Sequence, residues 1–226
     1  MRPRLILASL ALLAAACQQP VSAAPGEVSV LAPPARVEAR EAPGPKTAIF
    51  AGGCFWGIEA IFSHVRGVTS AVSGFHGGKA ATAHYDWVSS GNTGHAESVR
   101  VTYDPRQVRY DQLLQLFFSV GADPTLVNRQ GPDVGTQYRS ALVPLDSEQR
   151  RVATAYLDQL GRSGIWHAPI ATRIEPYQRF YPAEDYHQDF AADNPNHGYI
   201  RRWDAPKVAA LKRLFPSLYK PAFTRG

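Results

Sequence analysis

The chain has 226 residues, 45% hydrophobic and 19% charged, with 24 Lys and Arg against 19 Asp and Glu for a formal charge of +5. This suits one domain with a sizeable core, and the absence of any basic run argues against nucleic acid as a partner. The 2 cysteines, Cys17 and Cys54, make no disulfide framework, because the first lies in a leader.

Arg2 and Arg4 precede the apolar stretch Leu5 to Ala16. The stretch is shorter than the ~20 residues of a membrane span and suits a secretory signal. Two processing sites are legible. Leu13-Ala14-Ala15-Ala16-Cys17 resembles a lipobox, which would leave a lipid anchor on Cys17, and Val21-Ser22-Ala23 offers cleavage before Ala24. Residues 1–23 are therefore read as a signal peptide or lipoprotein signal, and the product as exported to the periplasm or cell envelope. Loss of Arg2 and Arg4 takes the charge from +5 to 5 − 2 = +3. Residues 24–46 are rich in Pro and Ala and read as an extended linker.

Thr47 to Phe50 reads as a short strand, and Ile58, Ala60, Ile61, Phe62 and Val65 suit one face of a helix. Cys54 then sits at a strand-to-helix corner that Gly52 and Gly53 allow to turn sharply. Amides at the helix start place partial positive charge beside the sulfur, which predicts a lowered thiol pKa and a ready nucleophile. A single unpaired thiol in an oxidising compartment favours chemistry over packing.

Val68 to Phe75 reads as a strand, His76 to Gly94 as a long loop, and Ala96 to Tyr103 as a second strand stopped by Asp104-Pro105. Leu113, Leu114, Leu116, Phe117 and Val120 mark an amphipathic helix, followed by a polar loop from Asp123 to Thr136 and a strand near Gln137 to Val143. Asp146 and Gln149 resemble a capping box for a helix reaching Leu160, with Gly161 as its stop. Ile170 to Ile174 reads as a strand and Pro182 to Phe190 as a short helix. This order predicts an α+β fold, a two-layer sandwich with a ferredoxin-like, split βαβ mixed sheet. The strand order is not readable. Period-two alternation places Glu97 on the face of Val99, Val101 and Tyr103, toward the core, where a carboxyl partly removed from water can keep its proton and act as a general acid.

Four ordered motifs then carry a resemblance running from about Ala48 to Tyr199: Gly53-Cys54-Phe55-Trp56-Gly57, Gly94-His95-Ala96-Glu97, Asn128 through Ser140, and Ala183-Glu184-Asp185-Tyr186-His187-Gln188. Together they resemble the A-type peptide methionine sulfoxide reductases. The resemblance implies a catalytic domain over residues 47–206 followed by a C-terminal extension over 207–226, with S-epimer specificity. It implies Cys54 as nucleophile, Glu97 as proton donor, and Tyr85 and Tyr138 as hydrogen-bond donors to the sulfoxide oxygen. Phe55 and Trp56 would cage the substrate methyl, with Asp133 and Tyr199 in the substrate-binding set. No cofactor and no metal are implied, and a monomer is expected.

The chain departs from the common pattern after Tyr199, where Ile200 stands in place of a resolving cysteine and no cysteine follows to Gly226. It is similar to the one-cysteine members, which implies regeneration by an external thiol such as a thioredoxin-like protein. Two other readings stay open: a cysteine acyl-transferase or hydrolase using His95 or His187 with Cys54, and a non-catalytic envelope lipoprotein with a vestigial site.

Overall fold

The computed structural model describes residues 29–226. The leader, both processing sites and Cys17 lie outside them. Strand β1 (Lys46–Gly52) turns through Gly53 and Cys54 into helix α1 (Phe55–Ser63), and β2 (Val68–His76) follows. A 3-10 turn and short helix α2 (Tyr85–Val88) precede β3 (Ala96–Tyr103), after which α3 (Tyr110–Leu116) runs on as a π-helical turn to Gly121. A minimal hairpin of β4 (Arg129–Gln130) and β5 (Asp133–Val134) leads to β6 (Ser140–Val143) and α4 (Ser147–Gly161). Two short strands, β7 (Arg173–Ile174) and β8 (Phe180–Pro182), and helices α5 (Phe190–Asp193) and α6 (Ala205–Leu214) complete the order.

The main sheet has the order β7-β6-β1-β3-β2-β8. Strand β3 lies antiparallel to both β1 and β2 and so splits the β1–α1–β2 crossover; β1 splits β3–α3–β6 in the same way. This is the ferredoxin-like α+β core expected from the sequence. One face buries Ala48, Phe50, Val99, Val101 and Tyr103 against Ile58, Ile61 and Phe62 of α1, Leu113 and Leu114 of α3, and Val152 and Tyr156 of α4. Each such large side chain contributes about 1.5–3 kcal/mol of transfer free energy. Phe50 anchors the layer, with ring centroids 4.7 Å from Phe62 and 5.3 Å from Phe117. Among the described residues, the opposite face carries two small clusters, Ile49, Val143 and Phe180, and Ala51, Ala96 and Ala141. Because β1 and β3 are antiparallel, the end of one and the start of the other lie at the same edge, which brings Cys54 to Glu97.

Several local readings change. The 76–94 stretch is not all loop: α2 forms there because the Glu184 carboxylate, far away in sequence, accepts the Tyr85 amide at 3.0 Å. The strand expected from Gln137 begins only at Ser140, since Thr136–Tyr138 is a 3-10 turn, and of Ile170 to Ile174 only Arg173–Ile174 pairs. The expected helix over Pro182 to Phe190 is instead a strand end, a 3-10 turn and the start of α5, interrupted at Asp189 with φ of 55°. Asp146 does cap α4, accepting from Gln149 N at 2.7 Å, but Gln149 Oε1 reaches back to Leu145 N at 3.0 Å rather than to the cap residue. Helix α6 crosses the 206/207 boundary, and the following segment returns to α1 through the Val65–Tyr219 bridge.

The described part of the Pro-rich segment has no helix or strand before Lys46, yet it is docked along its length. Val30 N and Ala32 N donate to Ser119 O and Oγ at 3.1 and 3.0 Å, and Ala39 N donates to Asp111 Oδ1 at 2.9 Å. The Glu41 carboxylate accepts from Tyr103 OH at 2.5 Å and Tyr110 N at 3.0 Å. An aperiodic segment gives no local signal of such docking, because its partners are backbone and side-chain groups of α3, β3 and the π-helical turn.

Candidate active site

The corner before α1 is built for glycine. Gly53 has φ of 88°, and a Cβ there would lie 2.5 Å from Gln130 Cβ. Gln130 is itself fixed, donating from Nε2 to Asp123 O at 2.9 Å and accepting Asp123 N at 3.0 Å. Cys54, partly exposed, then caps α1. The first free amide of the helix, Phe55 N–H, donates to Glu97 Oε2 at 3.0 Å, and the Trp56 amide is near enough to the Cys54 sulfur to favour its charged form.

Glu97 is 2% exposed, on the core side as its alternation with Val99, Val101 and Tyr103 predicts. Burial pushes its pKa up to about 8; the Phe55 amide opposes this in part, while the charges of Asp133 and Asp204 add to it. At neutral pH it is therefore a carboxylic acid.

The thiol behaves opposite to the sequence reading. Burial, then the neighbouring carboxyls of Glu97 and Asp204, push the Cys54 pKa well up, and the Trp56 amide offsets only part of this. The helix start does face the sulfur, but one of its amides serves Glu97 instead, and desolvation outweighs the remainder. The resting Cys54 side chain is a thiol.

Tyr85 and Tyr138 lie near enough to Glu97 and Cys54 that ionising either would disfavour a further negative charge on the phenols, which brings all four groups into one cluster. Burial raises the Tyr85 hydroxyl to about 12 and raises Tyr138 further, so both remain O–H donors. Beside this cluster, Trp56 stacks on Phe190 with centroids 3.9 Å apart and meets Tyr199 edge-on at 5.9 Å. Tyr199 OH donates to Asp133 Oδ2. Phe55 is 1% exposed, packed behind Trp56 against Phe75 and His187 at centroid distances of 5.8 and 5.0 Å.

Three further residues matter that the sequence did not single out for the site, and a fourth, His187, that it weighed for the site only as a base for Cys54. His187 accepts the Trp56 indole N–H on Nδ1 at 3.1 Å and packs on the Tyr85 ring at 4.4 Å. Glu184 holds the start of α2, and Gln130 backs Gly53. Asp204, 1% exposed, lies so close over α1 that a Cβ on Gly57 would come within 2.3 Å of its Oδ1. His187, Glu184 and Gln130 fall inside the quoted motifs, where they could have been weighed by position; Asp204 has no local signal. Neither histidine suits a base for Cys54: His95 is buried, with Nδ1 accepting Gly78 N at 3.1 Å and Nε2 at 3.0 Å from Lys79 O, and His187 Nδ1 is taken by Trp56. That removes the geometric support for the acyl-transferase reading.

A cysteine thiol at the start of a helix, beside a protonated, buried carboxyl and two phenol donors, fits a thiol-dependent oxidoreductase. Residues 46–217 match the family model described as peptide methionine sulfoxide reductase. Peptide methionine sulfoxide reductase MsrA 2 of Mesorhizobium japonicum is 55% identical, covering 81% of this chain and 94% of its own. Its namesake from Synechocystis is 52% identical, covering 78% and 83% respectively. Among solved structures, Mxr1 from Saccharomyces cerevisiae in reduced form is similar, with 31% identity and a TM-score of 0.57 over 71% of this chain and 91% of that one. The methionine sulfoxide reductase A of Corynebacterium diphtheriae matches at 36% identity and the same TM-score of 0.57, over 68% and 77%. The chain belongs to the A-type peptide methionine sulfoxide reductase family and is a peptide-methionine (S)-S-oxide reductase.

Proposed function

We propose that Cys54 attacks the sulfur of methionine S-sulfoxide while Glu97 protonates the departing oxygen and Tyr85 and Tyr138 hydrogen-bond to it. The observation that carries this reading is Glu97 itself, buried, tied to the Phe55 amide at 3.0 Å and holding its proton up to about pH 8. A sulfoxide oxygen leaves poorly unless protonated or strongly hydrogen-bonded, so a neutral acid with two phenols is the fitting environment. The raised thiol pKa fits the same scheme. As Glu97 gives its proton to the oxygen it becomes the base that receives the thiol proton, so the thiolate forms only when substrate is present. The step balances: the methionine sulfur is reduced by two electrons, the Cys54 sulfur is oxidised by two, and oxygen passes to Cys54 as a sulfenic acid.

With Ile200 beside Tyr199 and no cysteine between Phe55 and Gly226, two equivalents of an external thiol return Cys54 to the thiol, releasing water and a disulfide. A thioredoxin-like protein is the class of donor that fits. The leader supports export, and with it repair of oxidised methionine, free or in proteins, in the cell envelope; a lipid anchor at Cys17 is the alternative to cleavage before Ala24. The test is turnover of separated S and R sulfoxide epimers by the full chain with a small-molecule dithiol, alongside Cys54→Ser and Glu97→Gln. Reduction of the R epimer, or full activity in either variant, would overturn the scheme.

A further inference from the structure

Four segments meet at one charged node next to the site. Arg139, directly after Tyr138, donates from Nε and Nη2 to Glu175 Oε1 and Oε2 at 2.7 and 3.0 Å. Its Nη1 donates to Thr136 O at 3.0 Å and its Nη2 also to Gly94 O at 3.1 Å. Glu175 follows β7, with its amide on Leu142 O at 2.9 Å, and its Oε2 lies 3.7 Å from His76 Nδ1 at the end of β2. The Arg139 and Glu175 side chains are only 13% and 17% exposed. Burial works to raise Glu175, but nearby His76 and the hydrogen bonds and charge of Arg139 hold it down to about 2, so Glu175 stays a carboxylate. Gly77, with φ of 100°, makes the room: a Cβ there would lie 2.8 Å from Arg139 Nη2.

The two carbonyls on this node belong to the segments that carry the oxygen-handling groups. Thr136 O is in the turn of Tyr138, and Gly94 O lies three residues before Glu97. A guanidinium is a rigid planar fork, so one group bonded to both carbonyls fixes the distance between them. We infer that Arg139 and Glu175 form a positioning pair that sets Tyr138 against Glu97. The inference rests on the roles proposed above for those two residues. Arg139 acts through them and is not itself a catalytic residue.

A lysine at 139 keeps the charge but cannot reach two carbonyls and a carboxylate in that geometry. Trp56, Asp133 and Tyr199 are held by other contacts, so the loss falls on the chemical step. Arg139→Lys is expected to lower kcat by about 10 to 100-fold, the effect of a displacement near 1 Å, with KM within about twofold of wild type. Glu175→Gln, which keeps the guanidinium but loosens its seat, is expected to show the same split at smaller size. Placed in a Tyr138→Phe background, Arg139→Lys is expected to add little, because both changes remove one function. Arg109→Gln, which breaks the distant pair with Asp111 at 2.9 Å, is the control that leaves kcat unchanged.

A wild-type kcat in both Arg139→Lys and Glu175→Gln overturns the inference. So does parallel loss of kcat, substrate binding and thermal stability that adds fully to Tyr138→Phe, or failure of both variants to fold, since either makes the pair merely structural. If instead Tyr138→Phe and Glu97→Gln keep full turnover, the oxygen-handling roles fail on their own account, and that result is read separately.

Discussion

Cys54 and Glu97 share one environment with opposite consequences: the same desolvation that keeps a proton on the acid keeps one on the nucleophile. Cys54→Ser leaves the volume nearly unchanged but replaces the thiol with a far weaker nucleophile, so methionine formation in a single-turnover assay is expected to vanish while the circular dichroism spectrum stays the same. Glu97→Gln keeps the shape and loses the transferable proton, for an expected drop of about 10² to 10⁴ in rate. The sign of the pH dependence follows from the raised acid. Below about 8 Glu97 carries its proton, and as pH rises through that value it ionises and can no longer donate. Wild-type single-turnover rates should therefore fall on the alkaline side, and a Glu97→Gln profile retaining that limb would remove Glu97 as its source. Cys54 and Glu97 were legible in the sequence because local rules expose them, a glycine corner in one case and strand alternation in the other. The thiol's pKa was not, because it depends first on burial and then on Glu97 and Asp204, all set only by tertiary structure.

The regular elements were legible where their own side chains decide them. Strands β1, β2 and β3 and helices α1 and α4 lie where periodicity predicts, since their apolar faces are buried against one another. Elements held by distant partners were not: α2 depends on Glu184, and the 129–138 stretch on Asp123 and Arg139. Two variants separate the classes. Asp146→Ala removes the α4 cap, with an expected loss of about 1 kcal/mol in denaturant unfolding and no change in turnover. Gly53→Ala combines a φ of 88° with a Cβ 2.5 Å from Gln130, so the corner must shift. It is expected to lower activity far more than stability, which costs about 1–3 kcal/mol for a strained residue. Equal effects on both would show that Cys54 is placed by α1 alone.

Across the whole molecule, a second buried acid adds to Glu97 in making stability fall as pH rises. Glu59 is 0% exposed, accepting Ser73 N at 3.2 Å and Asp189 N at 2.9 Å, and burial followed by the Asp189 charge pushes it up to about 8. Unfolded, it would titrate near its ordinary value of 4.5. Between the two values the folded state holds a proton the unfolded state lacks, so this contribution is complete below 4.5 and is lost as pH rises through about 8. The slope approaches about 1.4 kcal/mol per pH unit for such a group. Glu59→Gln is expected to flatten the fall in melting temperature over that range, whatever it does to stability at a single pH; an unchanged slope would rule out Glu59 as a cause.

The pleat of β3 has a further consequence for how the enzyme can change over generations. Glu97 faces the sulfur only because it stands an even number of residues from Val99, Val101 and Tyr103, which are locked into the core. The reaction thus depends on parity. A residue lost from the largely exposed 162–169 segment alters a surface path, but a residue lost between Glu97 and Val99 turns the acid to the far side of the sheet with every side chain of the site still encoded. Drift in length is open to the loops and closed to this one strand.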